Sequence, residues 1–509
     1  MLRMKYLFMS TVVCLAMAFL VSSCSDDSNF SSPQIDAPKM LSFGFHAEDN
    51  SGALSKDYVV DLSNISTLGT STVNIQIPMP ATIDKSSLVA RFTMSDGTTA
   101  TVNGLTQVSK TTPNNFTAPV DYILTKGDVN VRCAVDVIKS TDMRWKALPV
   151  YETVTTFGSP VLRINPKDNT PYVAFKIRSN NDYRSTVIKY VNGAWTSVGD
   201  AAFGGQIASS YYDFSIAPDG TPYMAYSDNS ITDGTTSLPG AMSVMKYDGN
   251  AWSYVGGSAG ILKAQSTYIG FAALENELVG AQQNNSAKAD FARRVMVFSN
   301  YKNGTWTNAT PPSVTNEIFT LSMANNNHVA YVLSINRGLI GGVNYGYNVL
   351  KYENNEWTAM LTNAIEPNAK ANSPFICGCA VSASNVPYIW FGDNADGTYQ
   401  IRVKAYDAAT DQWKTLTGNV LPLGFEFDKH TEVAMAIAGD GVPYVVYNNL
   451  LDQNYPYFMY LDTETGQWSR PVRIADVAAS SLHIAFSHSG VGYVSFTDGD
   501  NHVRVYAYE

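Results

Sequence analysis

The chain has 509 residues, of which 45% are hydrophobic and 15% charged, and its formal net charge at pH 7 is −10. That apolar fraction is sufficient for large buried cores and too high for a disordered chain. The acidic charge argues against nucleic acid or an anionic membrane surface as the partner.

The first residues predict a secretory signal that ends in a lipid attachment site. Arg3 and Lys5 precede an apolar segment over 6–21, which runs into a Val-Ser-Ser-Cys sequence ending at Cys24. A basic start, an apolar segment and small residues before a cleavage site are typical of a signal peptide, not of a membrane span. The sequence resembles the lipobox of bacterial lipoproteins, which implies removal of 1–23 and acylation of Cys24. A plain signal peptide with an incidental cysteine is the alternative.

A polar segment over 24–38 follows and predicts a flexible tether. It contains a Ser-Asp-Asp-Ser sequence at 25–28, which resembles the export signal that Bacteroidetes place after the lipidated cysteine. The resemblance implies an outer-membrane lipoprotein exposed at the cell surface, held there by acyl chains and not by a membrane span. A solvated tether without an export role is the alternative.

Short strand-like runs, separated by Gly, Asn and Asp turns, fill residues 39–140. About seven such strands in a stretch of roughly 100 residues predict an immunoglobulin-like β-sandwich. The runs are 40–45, 58–62, 72–77, 88–94, 100–102, 120–124 and 129–137. The sequences LVARFT at 88–93 and FTAPVDY at 116–122 resemble the N-terminal Ig-like modules of Bacteroidetes surface lipoproteins, in which the module is usually a spacer.

Seven of the eight tryptophans recur at a nearly constant spacing through the rest of the chain. They are Trp145, Trp195, Trp252, Trp306, Trp357, Trp413 and Trp468. A Tyr-bearing strand and a polar turn precede five of the last six. Self-similarity at about 40–55 residues is the signature of a β-propeller.

Each repeat divides into four strands, and the second strand recurs seven times, which predicts a seven-bladed propeller over 143–509. The copies begin near residues 171, 222, 278, 328, 387, 443 and 492. The last copy is followed by a single strand without a Trp, whereas residues 143–149 hold a Trp strand without partners. We therefore expect 143–149 to form the outer strand of the seventh blade, because joining the two ends removes open sheet edges.

The strand order predicts which face of the propeller binds a ligand. Turns between first and second strands and between third and fourth strands are short and lie on one face. The connections on the other face are long and irregular, namely 176–186, 227–242, 281–294, 334–347, 361–374 and 448–456. Long loops on a rigid scaffold are where binding sites usually lie.

The long-loop face carries aromatic rings, amides, arginines and carboxylates, a mixture that suits a glycan and also a protein epitope. The expected ligand contacts are Tyr211, Tyr212, Asp213, Asp228, Arg293, Arg337, Tyr345, Asp393, Glu426, Asp428, His430 and Tyr455. Three of the acidic residues, Asp213, Asp228 and Asp393, are expected near the central mouth. The alternative is that an acidic, Tyr-rich propeller exposes such residues by chance.

The sequence contains no motif that establishes a reaction or a cofactor. It lacks a phosphate-binding Gly-rich loop, a Gly-x-Ser-x-Gly elbow and a His-x-x-Glu-His pattern. The six histidines have no ligand-like spacing, and Cys377 and Cys379 are expected to be buried thiols. We therefore expect neither a cofactor nor a metal, while the pairing of carboxylates that a glycosidase needs cannot be deduced from sequence.

These features together resemble Bacteroidetes surface lipoproteins with an N-terminal Ig-like module and a C-terminal propeller. The leading hypothesis is a surface-anchored binding protein whose propeller recognises an extracellular glycan or protein. One alternative is a propeller glycoside hydrolase or related enzyme, favoured by two or more carboxylates or three converging arginines at the mouth. Another is a structural component of an outer-membrane uptake complex, and a flat apolar patch would favour a protein partner.

Overall fold

The computed structural model describes residues 37–62, 72–80, 82–140, 143–151, 155–180, 182–231, 240–257, 260–262, 264–286, 290–342, 344–366, 376–393, 400–416, 431–463 and 465–509. The predicted signal, Cys24 and most of the tether lie outside these residues, as do Glu426, Asp428 and His430. Within them every regular element is a β-strand, so the expectation of an all-β chain is confirmed. No helix in this part of the chain is long and apolar enough to cross a membrane.

Ten strands form the N-terminal unit. They are β1 (Met40–Phe45), β2 (Tyr58–Asp61), β3 (Thr72–Met79), β4 (Leu88–Val89), β5 (Arg91–Met94), β6 (Thr99–Val102), β7 (Leu105–Thr106), β8 (Pro113–Asn114), β9 (Val120–Lys126) and β10 (Val129–Lys139). They pair as a three-stranded sheet β2-β1-β5, a five-stranded sheet β3-β10-β9-β6-β7 and a small sheet β4-β8. The predicted strand 88–94 is divided at Ala90, because its two halves pair in different sheets.

One aromatic core lies between the larger sheets of this unit. Phe43 and Phe45 from β1 meet Phe116 and Tyr122 edge-on, with ring centroids 4.8 Å apart for Phe45–Phe116 and 5.3 Å for Phe43–Tyr122. All four rings are buried. Burying side chains of this size contributes roughly 1.5–3 kcal/mol each, so this unit has an independent core.

Seven sheets follow, each with four strands from the repeat. Blades 1 to 3 are β12 (Val161–Ile164), β13 (Pro171–Ser179), β14 (Asp182–Val191) and β15 (Ala194–Ser197); β16 (Ile207–Ile216), β17 (Pro222–Asp228), β18 (Ala241–Tyr247) and β19 (Trp252–Tyr254); and β20 (Ser266–Ala273), β21 (Leu278–Asn284), β22 (Met296–Lys302) and β23 (Thr305–Ala309).

The next three blades repeat the same order. Blades 4 to 6 are β24 (Ile318–Asn326), β25 (Val329–Ile340), β26 (Asn344–Glu353) and β27 (Glu356–Ala364); β28 (Cys377–Val381), β29 (Pro387–Asp393), β30 (Gln400–Asp407) and β31 (Gln412–Thr415); and β32 (Val433–Ile437), β33 (Pro443–Asn449), β34 (Tyr455–Asp462) and β35 (Gln467–Trp468), with β36 (Val472–Arg473) also paired to β34.

Blade 7 contains strands from both ends of this region. Its inner strands are β37 (Ser480–Phe486), β38 (Gly492–Thr497) and β39 (Val503–Tyr508), and its outer strand is β11 (Trp145–Ala147). β11 is antiparallel to β39, with Trp145 opposite Tyr508. The Trp145 ring also lies 5.4 Å from Phe458 of blade 6, so the strand that pairs with the chain end contacts the neighbouring blade.

The first strand of each blade lies next to the axis. Each of these seven strands contacts the first strand of the following blade, and β37 contacts β12, so the sheets form a closed ring with a propeller fold. Polar side chains satisfy the inner edge: Asp213 Oδ2 accepts the N–H of Phe271 at 2.9 Å, and Ser215 Oγ accepts that of Ala273 at 3.0 Å. Side-chain oxygens on the first strand of one blade therefore accept hydrogen bonds from backbone N–H groups of the next blade's first strand, which would otherwise have no partner at the sheet edge.

The N-terminal unit lies against the short-turn face of the ring. The Thr82 hydroxyl donates to the carbonyl of Gly490, and Ile83 is fully buried. A Cβ on Gly490, where φ is +76°, would lie 2.5 Å from Ile83, and a Cβ on Gly439 would lie 2.8 Å from the Thr82 carbonyl. Only glycine permits this close approach. The long-loop face is on the opposite side of the ring.

Candidate ligand-binding site

The long-loop face has a central mouth where the first strands begin. Four of these strands, β16, β20, β24 and β37, contain a register shift within their first residues. A β-bulge inserts an extra residue and re-aims the side chains beside it, and bulges are common next to functional sites. The mouth is therefore the part of the ring where the regular blade geometry is interrupted.

Aromatic residues from three consecutive blades lie at these bulges. The rings of Tyr211 and Tyr268 are 4.9 Å apart, and Phe319 occupies the corresponding place in blade 4. Tyr268 has φ of +47°, an uncommon conformation for a bulky residue. Burial, together with the Tyr268 hydroxyl, raises the pKa of Tyr211 to about 12, so its hydroxyl stays protonated near neutral pH. Blades 2 to 4 thus contribute three aromatic rings to one side of the mouth, called the aromatic wall, and two of these rings carry a hydroxyl group.

The opposite side of the mouth is polar. The hydroxyl groups of Ser159 and Ser481 are 3.1 Å apart, and a carboxylate oxygen of Glu432 accepts the N–H of Ser481. Burial raises the pKa of Glu432, although the Ser481 N–H opposes this effect. Blades 6, 7 and 1 therefore carry hydrogen-bonding groups at or just before the start of their first strands.

A polar group lies inside the ring below the mouth. Arg163 donates to Asp213 Oδ1 at 2.9 Å, and its Nη1 lies 3.2 Å from His483 Nε2. Burial and the nearby guanidinium lower the pKa of His483 to about 3, so the imidazole is neutral. Because arginine only donates, Nε2 is the acceptor and the proton is assigned to Nδ1, which is buried and has no hydrogen-bond partner among the described residues.

Burial raises the pKa values of Asp213 and of the Cys379 thiol, which is close enough to feel the charges of Asp213 and Arg163. Burial raises the pKa of Asp213, opposed by Arg163 and by two backbone N–H groups that its oxygens accept. Burial raises the pKa of the Cys379 thiol to about 12, so it is not a thiolate near neutral pH. Cys377 and Cys379 are both free thiols.

A group of side chains, the rim cluster, surrounds the Phe319 ring on the long-loop face. It consists of Arg294, Glu317, Phe319, Arg337 and Tyr345. One oxygen of Glu317 lies 3.7 Å from Arg294 Nη1 and 3.5 Å from Arg337 Nε. The Arg337 guanidinium is 5.3 Å from the centre of the Phe319 ring, and the Tyr345 ring meets Phe319 edge-on at 5.7 Å. The rim cluster is thus a cationic and aromatic extension of the mouth.

The structure brings some of the sequence-predicted residues together. Tyr211 lies at the mouth, Asp213 lies below it, and Arg337 and Tyr345 belong to the rim cluster. Arg293 is exposed and precedes Arg294 in the chain.

Two expected contacts, Tyr212 and Asp228, are buried and form hydrogen bonds within the protein. The buried Tyr212 hydroxyl donates to the carbonyl of Ser159 at 2.6 Å. Asp228 is fully buried and accepts from Ser230 and from the Tyr254 hydroxyl, the latter at 3.0 Å.

Five predicted residues remain, namely Tyr455, Asp393, Glu426, Asp428 and His430. Tyr455 lies in blade 6 with Arg473 5.3 Å over its ring. Asp393 ends β29, and the position of its side chain is outside the described set. Glu426, Asp428 and His430 also lie outside the described residues.

Sequence reasoning missed several residues of the site, namely Arg163, Tyr268, Glu317, Phe319, Glu432, Ser481 and His483. Two of them could have been predicted from their position in the repeat. Tyr268 and Phe319 lie near the start of a first strand, after a long connection, as Tyr211 does. Aligning the repeats on their first strands would have identified this equivalence. The others depend on contacts between blades that no local pattern encodes.

One group of possible metal ligands occurs among the described residues, formed by Asp498, Asp500 and His502. The oxygens of Asp498 already accept the N–H groups of Asp500 at 3.0 Å and His502 at 2.8 Å, and Arg504 Nε at 2.6 Å. These bonds are those of a hairpin turn with a paired arginine. The donor set does not require a cation.

Comparisons with known proteins show similarity only at the level of the fold. No protein-family model matches the sequence, and a comparison with curated proteins finds no match. An ulvan lyase of polysaccharide lyase family PL25 has a similar structure, with 12% identity, a TM-score of 0.47, and coverage of 71% of this chain and 96% of the lyase.

Two further solved structures have the same kind of similarity. The β-propeller domain of the trilobed protease from Pyrococcus furiosus has 8% identity and a TM-score of 0.43, covering 70% of this chain and 94% of that domain. AofleA from Arthrobotrys oligospora has 13% identity and a TM-score of 0.39, covering 67% and 95%. Similarity at this level does not transfer a function.

Proposed function

We propose that this chain is a surface-anchored binding lipoprotein that holds an extracellular saccharide at the central mouth of its propeller. In this proposal Cys24 carries the lipid, and the unit over 39–140 is an Ig-like spacer. The propeller has seven blades over 143–509, and β11 latches the ring. The observation that supports a saccharide most strongly is the two-sided mouth.

The two sides of the mouth match the two kinds of surface on a sugar ring. A pyranose has an apolar face of C–H groups, which stacks on aromatic rings, and a periphery of hydroxyls, which exchange hydrogen bonds with polar groups. Tyr211 and Tyr268 supply the first kind of contact. Ser159, Ser481 and Glu432 supply the second from the opposite blades.

The placement of the N-terminal unit supports the same proposal. It covers part of the short-turn face through Thr82 and Ile83, on the side opposite the mouth. An anchor at Cys24 lies N-terminal to this unit, so the mouth is oriented away from the membrane. A large extracellular polymer then has access to the long-loop face.

The chemistry of the mouth favours binding over hydrolysis. Its two described carboxylates, Asp213 and Glu432, both accept backbone N–H groups of a neighbouring strand. His483 is neutral and below the mouth. Two arginines approach Glu317, whereas Arg184 lies in blade 1 and contacts Asp182 at 3.5 Å. These groups serve the scaffold or bind, and none is placed as an acid–base pair.

Saccharide binding to the chain starting at Ser25, which removes the lipid site and keeps both folded units, tests the proposal. We expect binding to at least one saccharide of a panel, measured by calorimetry, and a loss of about tenfold or more when Tyr268 is changed to Ala. Tyr247→Phe should retain affinity, because that hydroxyl bonds the carbonyl of Gly249 in a turn on the short-turn face, away from the mouth. Absence of binding across the panel, or equal loss in both variants, would count against the mouth.

A further inference from the structure

The rim cluster contains two partly buried arginines whose hydrogen-bonding capacity is unused. Neither guanidinium group donates a hydrogen bond within the described residues, although the side chains of Arg294 and Arg337 are only 28% and 37% exposed. Their distances to Glu317, 3.7 and 3.5 Å, exceed the 2.7–2.9 Å typical of a charge-assisted hydrogen bond. Each guanidinium carries five N–H donors. Many donors therefore converge on one loosely held carboxylate.

Other partly buried arginines of this chain behave differently. Arg91 donates to Asp49 at 2.6 Å, Arg163 donates to Asp213 at 2.9 Å, and Arg504 donates to Asp498 at 2.6 Å. In those places the fold supplies a well-aligned carboxylate for each guanidinium. At the rim one carboxylate, Glu317, lies between two guanidinium groups and is itself 50% exposed.

The backbone fixes both arginines in place. Arg294 has φ of +66°, a conformation that is rare for a residue with a side chain. Its N–H donates to the carbonyl of Asn284, and its carbonyl accepts the N–H of Ile318 at 2.9 Å. The N–H of Arg337 donates to the carbonyl of Glu317 at 2.8 Å. These bonds fix the backbone positions from which the two side chains extend toward Glu317.

The local charge at this point is opposite to that of the whole molecule. Arg294 and Arg337 flank Glu317, and Arg293 is exposed beside them, in a chain with a net charge of −10. The described part of the same loop also has Asp290, which forms no ion pair with these arginines in the structure described. A cationic site within an acidic surface gives selectivity for an anionic group that arrives as part of a larger ligand.

We propose that the rim cluster is a subsite for an anionic substituent of the saccharide, a carboxylate or a sulfate ester, carried one or more residues from the ring held at the mouth. This inference rests on the proposed function, because the mouth supplies the stacking contacts. Arg294 and Arg337 bind the anion as a fork of N–H donors, and Glu317 turns toward solvent when the anion enters. The ligand class is therefore an acidic polysaccharide.

Binding of three saccharides of matched length tests the subsite. An alginate hexasaccharide carries carboxylates, a chondroitin sulfate hexasaccharide adds sulfate esters, and a neutral dextran fragment carries neither group. We expect at least one acidic probe to bind about tenfold more tightly than the neutral probe at 50 mM salt and to lose most of that preference at 500 mM, where charges are screened. The tighter of the two acidic probes identifies the anion.

Two substitutions and a control then locate the effect. Arg337→Gln and Arg294→Gln, alone and together, should weaken the acidic probe about tenfold and leave the neutral probe unchanged, whereas Arg337→Lys should retain part of the affinity. Arg132→Gln removes an equal charge from the N-terminal unit, where Arg132 pairs with Asp121 at 2.8 Å, and should have no effect. Unchanged melting temperatures establish that the variants are folded. If Arg294→Gln does not fold, the Arg337 variants alone are enough to test the subsite.

The outcomes separate this inference from the proposed function. If the neutral probe binds as tightly as the acidic ones and Tyr268→Ala abolishes that binding, the mouth holds a saccharide and the anionic subsite is refuted. If the acidic preference survives in the double Arg variant, the subsite is also refuted. If none of the probes and no member of the wider panel binds, both proposals fail.

Discussion

The indole N–H of Trp195 donates a hydrogen bond to the carbonyl of Pro149 at 2.9 Å. The same bond joins Trp252 to Val198 at 2.7 Å and Trp306 to Val255 at 2.9 Å. In each case the acceptor lies just after the Trp strand of the preceding blade. Pro149 follows Trp145 in this way, so the strand β11 makes the same connection to blade 1 that other outer strands make to their neighbours.

These bonds predict a difference between otherwise similar tryptophans. Trp252→Phe removes a hydrogen bond to Val198, whereas the buried indole nitrogen of Trp413 has no partner among the described residues. We expect Trp252→Phe to lower the free energy of unfolding by about 1 kcal/mol more than Trp413→Phe. Urea denaturation of both variants measures the difference, and equal losses would show that the bond between blades adds no stability.

The proposed latch predicts a second stability effect, at Trp145. Its ring lies 4.9 Å from Tyr508 and 5.4 Å from Phe458, so Trp145→Ala should cost roughly 2–4 kcal/mol. It should also promote aggregation, because β39 becomes an edge strand. Lys146→Ala in the same strand removes only an exposed ion pair with Glu509 and should cost under about 1 kcal/mol. Thermal unfolding and light scattering test both, and similar behaviour of the two variants would argue against a latch.

Two substitutions of Tyr268 should differ in stability although both weaken saccharide binding. Its φ of +47° is tolerated far better by Asn than by Ala. We expect Tyr268→Asn to be more stable than Tyr268→Ala by about 0.5–1 kcal/mol, while both lose saccharide affinity. Urea denaturation and calorimetry of the two variants measure these effects. An Ala variant as stable as the Asn variant would mean that the backbone of the bulge is not strained.

His483 predicts acid lability of the propeller. Its pKa is lowered to about 3 in the folded protein by burial and by Arg163, whereas an unfolded histidine titrates near 6.5. The unfolded state therefore binds the proton first, and stability is lost as pH falls from about 6.5 toward 3. At pH 5 the loss relative to pH 7.5 from this residue is about 2 kcal/mol.

Substitution of histidines tests this origin of the pH dependence. His483→Gln should reduce the loss of unfolding free energy between pH 7.5 and pH 5. His328→Gln, at an exposed turn where His328 lies 3.1 Å from Glu275, should leave it nearly unchanged. An identical pH dependence in the His483 variant and the original chain would contradict the assignment.

Much of the architecture could be predicted because it repeats in sequence. Strands β13, β17, β21, β29, β33 and β38 begin at the residues that the repeated second-strand pattern indicates. Counting strands at the two chain ends likewise leads to the proposal that residues 143–149 latch the ring. Local periodicity and turn residues carry this information, so a single sequence reveals it.

The site was less predictable because its geometry depends on bulges and on contacts between blades. Tyr211 and Tyr212 are adjacent in sequence, yet the first lies at the mouth and the second is buried against Ser159. A register shift in β16 determines which of the two side chains is buried between the strands, and no sequence pattern predicts this shift. Asp228, expected near the central mouth, is fully buried and accepts three hydrogen bonds from Ser230 and Tyr254. Arg163 and His483 meet only because the ring brings blades 1 and 7 together.

A crystal structure of the chain with the tightest-binding hexasaccharide would show whether the mouth of the long-loop face holds an acidic saccharide. We expect one sugar ring stacked on Tyr211 or Tyr268 and an anionic group hydrogen-bonded to Arg294 and Arg337. A saccharide bound instead on the short-turn face or on the outer strands, with the mouth unoccupied, would contradict it.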